Sequence, residues 1–93
     1  MIFWRIIILM YEIYLESSAE KDLRKIPAAH FNTVITRIKA LADNPCPTGI
    51  RKLKDSNNFW RIRIGNYRVV YEIIDSSKTI NIYKIKHRKD AYR

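Results

Sequence analysis

Phe59-Trp60-Arg61-Ile62-Arg63-Ile64-Gly65-Asn66-Tyr67-Arg68-Val69-Val70-Tyr71 reads as a β-hairpin. Two runs rich in aromatic and β-branched residues flank Gly65-Asn66, and a glycine there supplies the positive φ of a primed two-residue turn. Such a turn fixes the register: Ile64 faces Tyr67, Arg63 faces Arg68, Ile62 faces Val69 and Arg61 faces Val70. Alternation with period 2 puts Trp60, Ile62, Ile64, Tyr67, Val69 and Tyr71 on one face, and Arg61, Arg63 and Arg68 on the other. Like charges paired across strands are destabilising by a few tenths of a kcal/mol to about 1. A guanidinium offers a fork of donors matched to phosphate and stays charged at any working pH. The hairpin alone leaves two readings open, a solvated basic face and a face that holds an anion.

Upstream, Met10–Leu15 alternates and reads as a strand. Ser17-Ser18-Ala19-Glu20 fits a capping box, with a helix to about Ile26 that buries Leu23 and Ile26 and stops at Pro27. Phe31, Val34, Ile35, Ile38, Leu41 and Ala42 recur at helical spacing, giving a second helix from Ala28 or Ala29 to Ala42 that packs on the apolar face of the hairpin. Asn44-Pro45-Cys46-Pro47-Thr48-Gly49 is a loop. Ile50–Asp55 is a short strand or extended segment, anchored by Leu53, with Arg51, Lys52 and Lys54 pointing outward. Downstream of the hairpin, Asp75-Ser76-Ser77-Lys78 turns the chain into a last strand, Thr79–Lys86. Simple alternation puts Ile80 and Ile82 on the helix side, and Tyr83, Ile85 and His87 on the arginine side, a count that one bulge would break. The fold class is therefore α+β, two N-terminal helices packed on one face of a small antiparallel sheet in the order β-α-α-β-β-β-β, with the other face open.

A chain of 93 residues is one domain, residues 1–93. The nine residues Met1–Leu9 are hydrophobic but too short for a bilayer span, which takes about 20 residues, and carry no signal-peptide pattern. We read them as an extension ahead of a domain that begins at Met10. Lys and Arg number 18 against 9 Asp and Glu, a formal net charge of +9. That excess points to nucleic acid, an anionic surface or an acidic protein partner. The single cysteine, Cys46, excludes an intrachain disulfide. With two distant histidines it makes no zinc pattern, so no metal or cofactor is expected. A reducing, cytoplasmic setting fits.

The strand, two helices, Lys52-Leu53-Lys54, the Trp60–Tyr71 hairpin and the terminal His87-Arg88-Lys89-Asp90-Ala91-Tyr92 together resemble the RelE/ParE toxin superfamily of bacterial type II toxin–antitoxin systems, over Met10–Arg93. Resemblance to its RelE branch implies metal-independent, ribosome-dependent cleavage of messenger RNA: the ribose 2′-hydroxyl attacks the adjacent phosphate and the 5′-oxygen leaves. That chemistry needs help in losing the 2′ proton, cations for the extra charge in the transition state, and a proton for the leaving oxygen. Matching residue by residue, the resemblance assigns catalytic parts to Arg61, Arg63, Arg68, His87, Arg88 and Tyr92. Arg68 is the phosphate clamp, His87 a general base or acid, and Tyr92 a group that orients a base or moves a proton. Arg51, Lys52, Lys54, Lys86 and Lys89 are contacts to RNA. Some members carry lysines where this chain has Arg61 and Arg63, and an arginine does not give up its proton as a lysine can. The partners implied are a cognate acidic antitoxin, the ribosome and messenger RNA, with no membrane. Two other readings share the scaffold: a ParE-type gyrase inhibitor without chemistry of its own, and an inactive RNA-binding homologue.

Overall fold

The computed structural model describes residues 10–54 and 58–89. Its elements are β1 (Glu12–Leu15), α1 (Ser17–Arg24), α2 (Ala28–Ala40), β2 (Arg51–Lys52), β3 (Phe59–Ile64), β4 (Tyr67–Ile74) and β5 (Thr79–His87). The strands form one five-stranded sheet in the order β1-β5-β4-β3-β2. From β2 to β5 every pairing is antiparallel, but β1 lies parallel to β5, from Glu12 opposite Thr79 to Leu15 opposite Ile82. The sheet is thus mixed. Short turns force antiparallel neighbours, whereas β1 is followed by a helical crossing to the far edge of the sheet, and such a crossing leaves its direction to tertiary packing.

The hairpin register is the one its turn dictates, Ile64 opposite Tyr67 through Trp60 opposite Tyr71. Gly65 has φ +59° while Asn66 stays at negative φ, the pattern of a type II′ turn. Ile62, Ile64, Tyr67, Val69 and Tyr71 are buried, together with Val34, Ile38 and Leu41 from α2 and its end. The Tyr71 hydroxyl donates to the Pro45 carbonyl at 2.8 Å, tying the loop after α2 to the core.

Two local expectations change. The capping box does not form: Glu16 is the N-cap and no side chain caps the helix. Ser17 is already inside the first turn, Glu20 pairs instead with Arg24, and the Ser18 hydroxyl donates to the Tyr83 carbonyl at 2.6 Å. The second change is a bulge. Val70 pairs with Lys84 but Tyr71 with Ile82, so β5 carries one extra residue. Beyond it the alternation of β5 is reversed. Ile85 is therefore in the core, and His87 stands opposite Tyr67 on the helix side, not among the arginines. Tyr83 stays on the open face, where its ring meets Phe59.

Past the end of β1, the outer edge of β5 is covered by α1. The Glu16 N–H donates to the Ile82 carbonyl at 2.9 Å, and Asp22 Oδ2 accepts the Ile85 N–H at 3.0 Å. Asp22 is only 5% exposed, and its Oδ1 also holds Lys86 Nζ at 2.8 Å. A buried carboxylate with a backbone donor and an ammonium has both oxygens satisfied. Ala19, Asp22 and Leu23 share one stripe of α1, with Ile26 just past its end, so an aspartate inside an apolar repeat was the available signal for this contact.

Candidate functional site: an arginine cleft on the open face

The register places basic residues in two adjoining rows on the face the helices leave uncovered. Arg51 pairs with Arg61, Arg61 with Val70, and Val70 with Lys84. In the next row Arg63 pairs with Arg68, and Arg68 with Lys86. Gly49, Arg51, Arg61, Arg63 and Arg68 line a cleft of about 330 Å³. Among the described residues no carboxylate lies within ion-pair distance of Arg51, Arg61 or Arg63, whereas Arg24 pairs with Glu20 and Lys86 with Asp22. Three of these cations thus meet at one concavity with no counter-charge among the described residues, on a sheet rather than on loops. Such an array suits a ligand that brings its own negative charge at more than one oxygen.

The structure brings together Arg61, Arg63 and Arg68 and adds Arg51, which the sequence read only as an outward-pointing contact. It also adds Lys84, unremarked in the sequence, whose place on this face follows from the bulge. Lys52 is moved away: it pairs with Trp60, so it lies on the opposite face, with Nζ 5.8 Å from the centroid of the Trp60 ring. Lys54 is exposed beyond the end of β2. Lys86 shares the arginine side by register, but its ammonium is held by Asp22. Arg88 and Lys89 are exposed in the turn that follows β5, where the Arg88 N–H donates to the Asn66 carbonyl at 2.7 Å. Tyr92 lies outside the described residues.

His87 has its own surroundings on the helix side. Its ring meets the Tyr67 ring edge-on at 5.3 Å, and Nδ1 accepts the Lys89 N–H at 3.2 Å. It lines a separate cleft with Pro27, His30 and Tyr67. The sheet therefore stands between this imidazole and the arginine cleft. Glu72 is on the arginine side, farther along β4 and opposite Phe59, and its Oε1 accepts the Tyr83 hydroxyl at 3.0 Å. Burial and this carboxylate both raise the Tyr83 phenol above its ordinary pKa. Among the described residues there is no group of three or more His, Cys, Asp and Glu side chains placed to hold a metal ion. None of the described helices is long and apolar enough to cross a membrane.

Comparison with known proteins bears on the fold and the family. The family model described as the ParE toxin of the type II toxin–antitoxin system, parDE, matches residues 13–92. A curated relative named putative toxin RelE1, from Methanocaldococcus jannaschii, is 31% identical over 86 residues, covering 89% of this chain and 96% of the relative. Among solved structures, the archaeal RelE–RelB complex from Pyrococcus horikoshii OT3 superposes with a TM-score of 0.75 at 28% identity, over 85% of this chain and 96% of that one. The RelBE2 toxin–antitoxin complex from Mycobacterium tuberculosis does so with a TM-score of 0.77 at 26% identity, over 86% and 93%. The chain belongs to the ParE toxin family of type II toxin–antitoxin systems, within the RelE/ParE superfamily.

Proposed function

We propose that this toxin is a metal-independent endoribonuclease that cuts messenger RNA on the ribosome. The observation that carries the reading is the cleft in which Arg51, Arg61, Arg63 and Arg68 converge on the open sheet face. A phosphodiester seated there gains a second unit of negative charge as the 2′-oxygen adds to phosphorus, and preset guanidiniums stabilise that charge more than they stabilise the ground state. The new 2′-O–P bond forms, the P–O5′ bond breaks, and the products carry a 2′,3′-cyclic phosphate and a 5′-hydroxyl. Arg61 and Arg63 are half-buried and exposed respectively, with Arg68 directly opposite Arg63. In this reading they grip the non-bridging oxygens, while Arg51 and Lys84 extend the positive track along the message.

His87 takes no part in that step, because it lies across the sheet. Tyr92 keeps the role that family resemblance gives it, orienting a base or moving a proton. The solved relatives from Pyrococcus horikoshii and Methanococcus jannaschii are complexes with the antitoxin RelB, and by analogy we assign this chain an antitoxin partner rich in acidic residues, which neutralises the basic face. The test is a purified translation reaction programmed with a defined message, with fragment ends mapped after addition of the protein. Cleavage leaving 5′-hydroxyl ends and lost in Arg61→Gln, Arg63→Gln and Arg68→Gln supports the reading. An intact message with translation arrested overturns it.

A second reading, a gyrase inhibitor, is favoured by the family description itself, which names the ParE toxin. Inhibition of gyrase supercoiling by the purified protein, with messages left whole, selects it.

A further inference from the structure

The open sheet face is divided. Next to the basic rows runs a patch formed by Tyr14 of β1, Asn81 and Tyr83 of β5, Glu72 of β4 and Phe59 of β3. Tyr14 pairs with Asn81, so it stands diagonal to Tyr83 on the same face, a spacing that aromatic rings can bridge. Tyr14 is 56% exposed, an unusual position for a large ring that helps build no core. Tyr83 is part-buried and fixed at both ends. Its ring meets Phe59 at 5.1 Å and 47°, and its hydroxyl donates to Glu72. Alternation from Ile80 and Ile82 already puts Tyr83 on this face, and the bulge sets Lys84 beside it on the same side. Phe59, which backs Tyr83, is two residues from Arg61 along β3, about 7 Å. One nucleotide spans that gap, and about two span the three strand spacings, roughly 14 Å, between Tyr14 on β1 and the arginines on β3.

We propose that Tyr14 and Tyr83 form a stacking shelf for a nucleobase of single-stranded RNA whose backbone runs on into the arginine cleft. The inference rests on the ribonuclease reading for its ligand, yet concerns binding and not cleavage. Charge sets the occupant: the shelf shares the open face with a cleft lined by four arginines, so a ligand that reaches it from the cleft carries phosphates. A base is the flat, apolar-faced group such a ligand offers, and aromatic rings on an open sheet face hold bases whatever their sequence. Glu72, locked to Tyr83, keeps the shelf from attracting phosphates itself and so separates the base side from the backbone side.

The test measures binding of a fluorescent single-stranded hexaribonucleotide with 2′-O-methyl groups, which blocks attack by the 2′-oxygen and makes the result independent of cleavage. Tyr14→Ala and Tyr83→Leu are each expected to weaken binding roughly five- to a hundredfold, the range for loss of one stacked base, without changing how affinity depends on salt. Tyr83→Phe, which keeps the ring, is expected to bind like the wild type. Removing one base from the hexamer should penalise the wild type and leave Tyr14→Ala indifferent. Tyr14→Ala affects an exposed side chain, so its result does not hinge on refolding, and circular dichroism checks Tyr83→Leu. If both variants bind the hexamer as the wild type does, the shelf is not a base site and the proposal falls. If Arg63→Gln lowers affinity and the salt slope while the tyrosine variants change nothing, only the shelf falls. If the wild type fails to bind the hexamer at low salt, the shelf and the ribonuclease reading fall together.

Discussion

Arg63 and Arg68 face each other across the hairpin. Their proximity is a cost to the folded chain and an asset for an anion, so the two effects separate in one substitution. Arg63→Thr relieves the repulsion and places a β-branched residue on a strand. We expect it to raise stability by a few tenths of a kcal/mol to about 1, read by thermal unfolding at low salt, with the gain shrinking as salt rises. The same change should abolish most of the cleavage, a trade of activity for stability common at functional clusters. Asp22 tests the opposite case. Asp22→Ala leaves the Ile85 N–H and Lys86 without their acceptor, and should destabilise by about 1–3 kcal/mol in denaturant unfolding. Asp22→Asn, which retains a carbonyl for the Ile85 N–H, should recover part of that loss.

Among the elements, the hairpin is the one that local chemistry dictates most fully, from its turn glycine to its pairing. β5 is the one that local chemistry misreads. Nothing in Asn81-Ile82-Tyr83-Lys84-Ile85 announces a bulge, because the run alternates well until its partner strand is known. The bulge lets Ile80, Ile82 and Ile85 all reach the core. It also turns His87 away from the cleft and brings Lys84 to the face that carries it. Tyr71 on β4 gives an element-level prediction in pH. Burial raises its phenol well above the ordinary 10.0. Below about pH 10 neither state is ionised and its stabilising contribution is whole. Above that, the unfolded tyrosine loses its proton while the folded one keeps it, so stability falls by up to about 1.4 kcal/mol per pH unit. Tyr71→Phe loses the hydrogen bond to Pro45, so it should be less stable at neutral pH, yet fall more gently between pH 10 and 12. Urea unfolding across that range checks it.

At the scale of the whole molecule, the net charge of +9 is unevenly placed. Arginines gather on one face of the sheet, while Glu12, Glu16 and Glu20 lie exposed along β1 and α1 at the far edge. RNA binding should therefore weaken steeply with salt. Each arginine withdrawn from the phosphate backbone should reduce the slope of log affinity against log salt by about 0.7. Arg51→Gln is the informative variant: a lowered slope in a titration of RNA binding places it on the message, and an unchanged slope removes it from the track.

The sequence by itself determined the hairpin, its register and the sorting of Trp60, Ile62 and Tyr71 from Arg61, Arg63 and Arg68, because a two-residue turn and strict alternation are local rules. It determined both helices within a residue or two, because their apolar stripes and Pro27 are local as well. Only the tertiary structure decided that β1 runs parallel to β5, that Asp22 is buried against the edge of β5, that Lys52 and His87 face away from the cleft, that Arg51 lines it and that Lys84 shares its face. Each of these depends on which strand lies beside which, and in what register across a bulge. That pairing is set by how the whole core closes, and no single segment carries it.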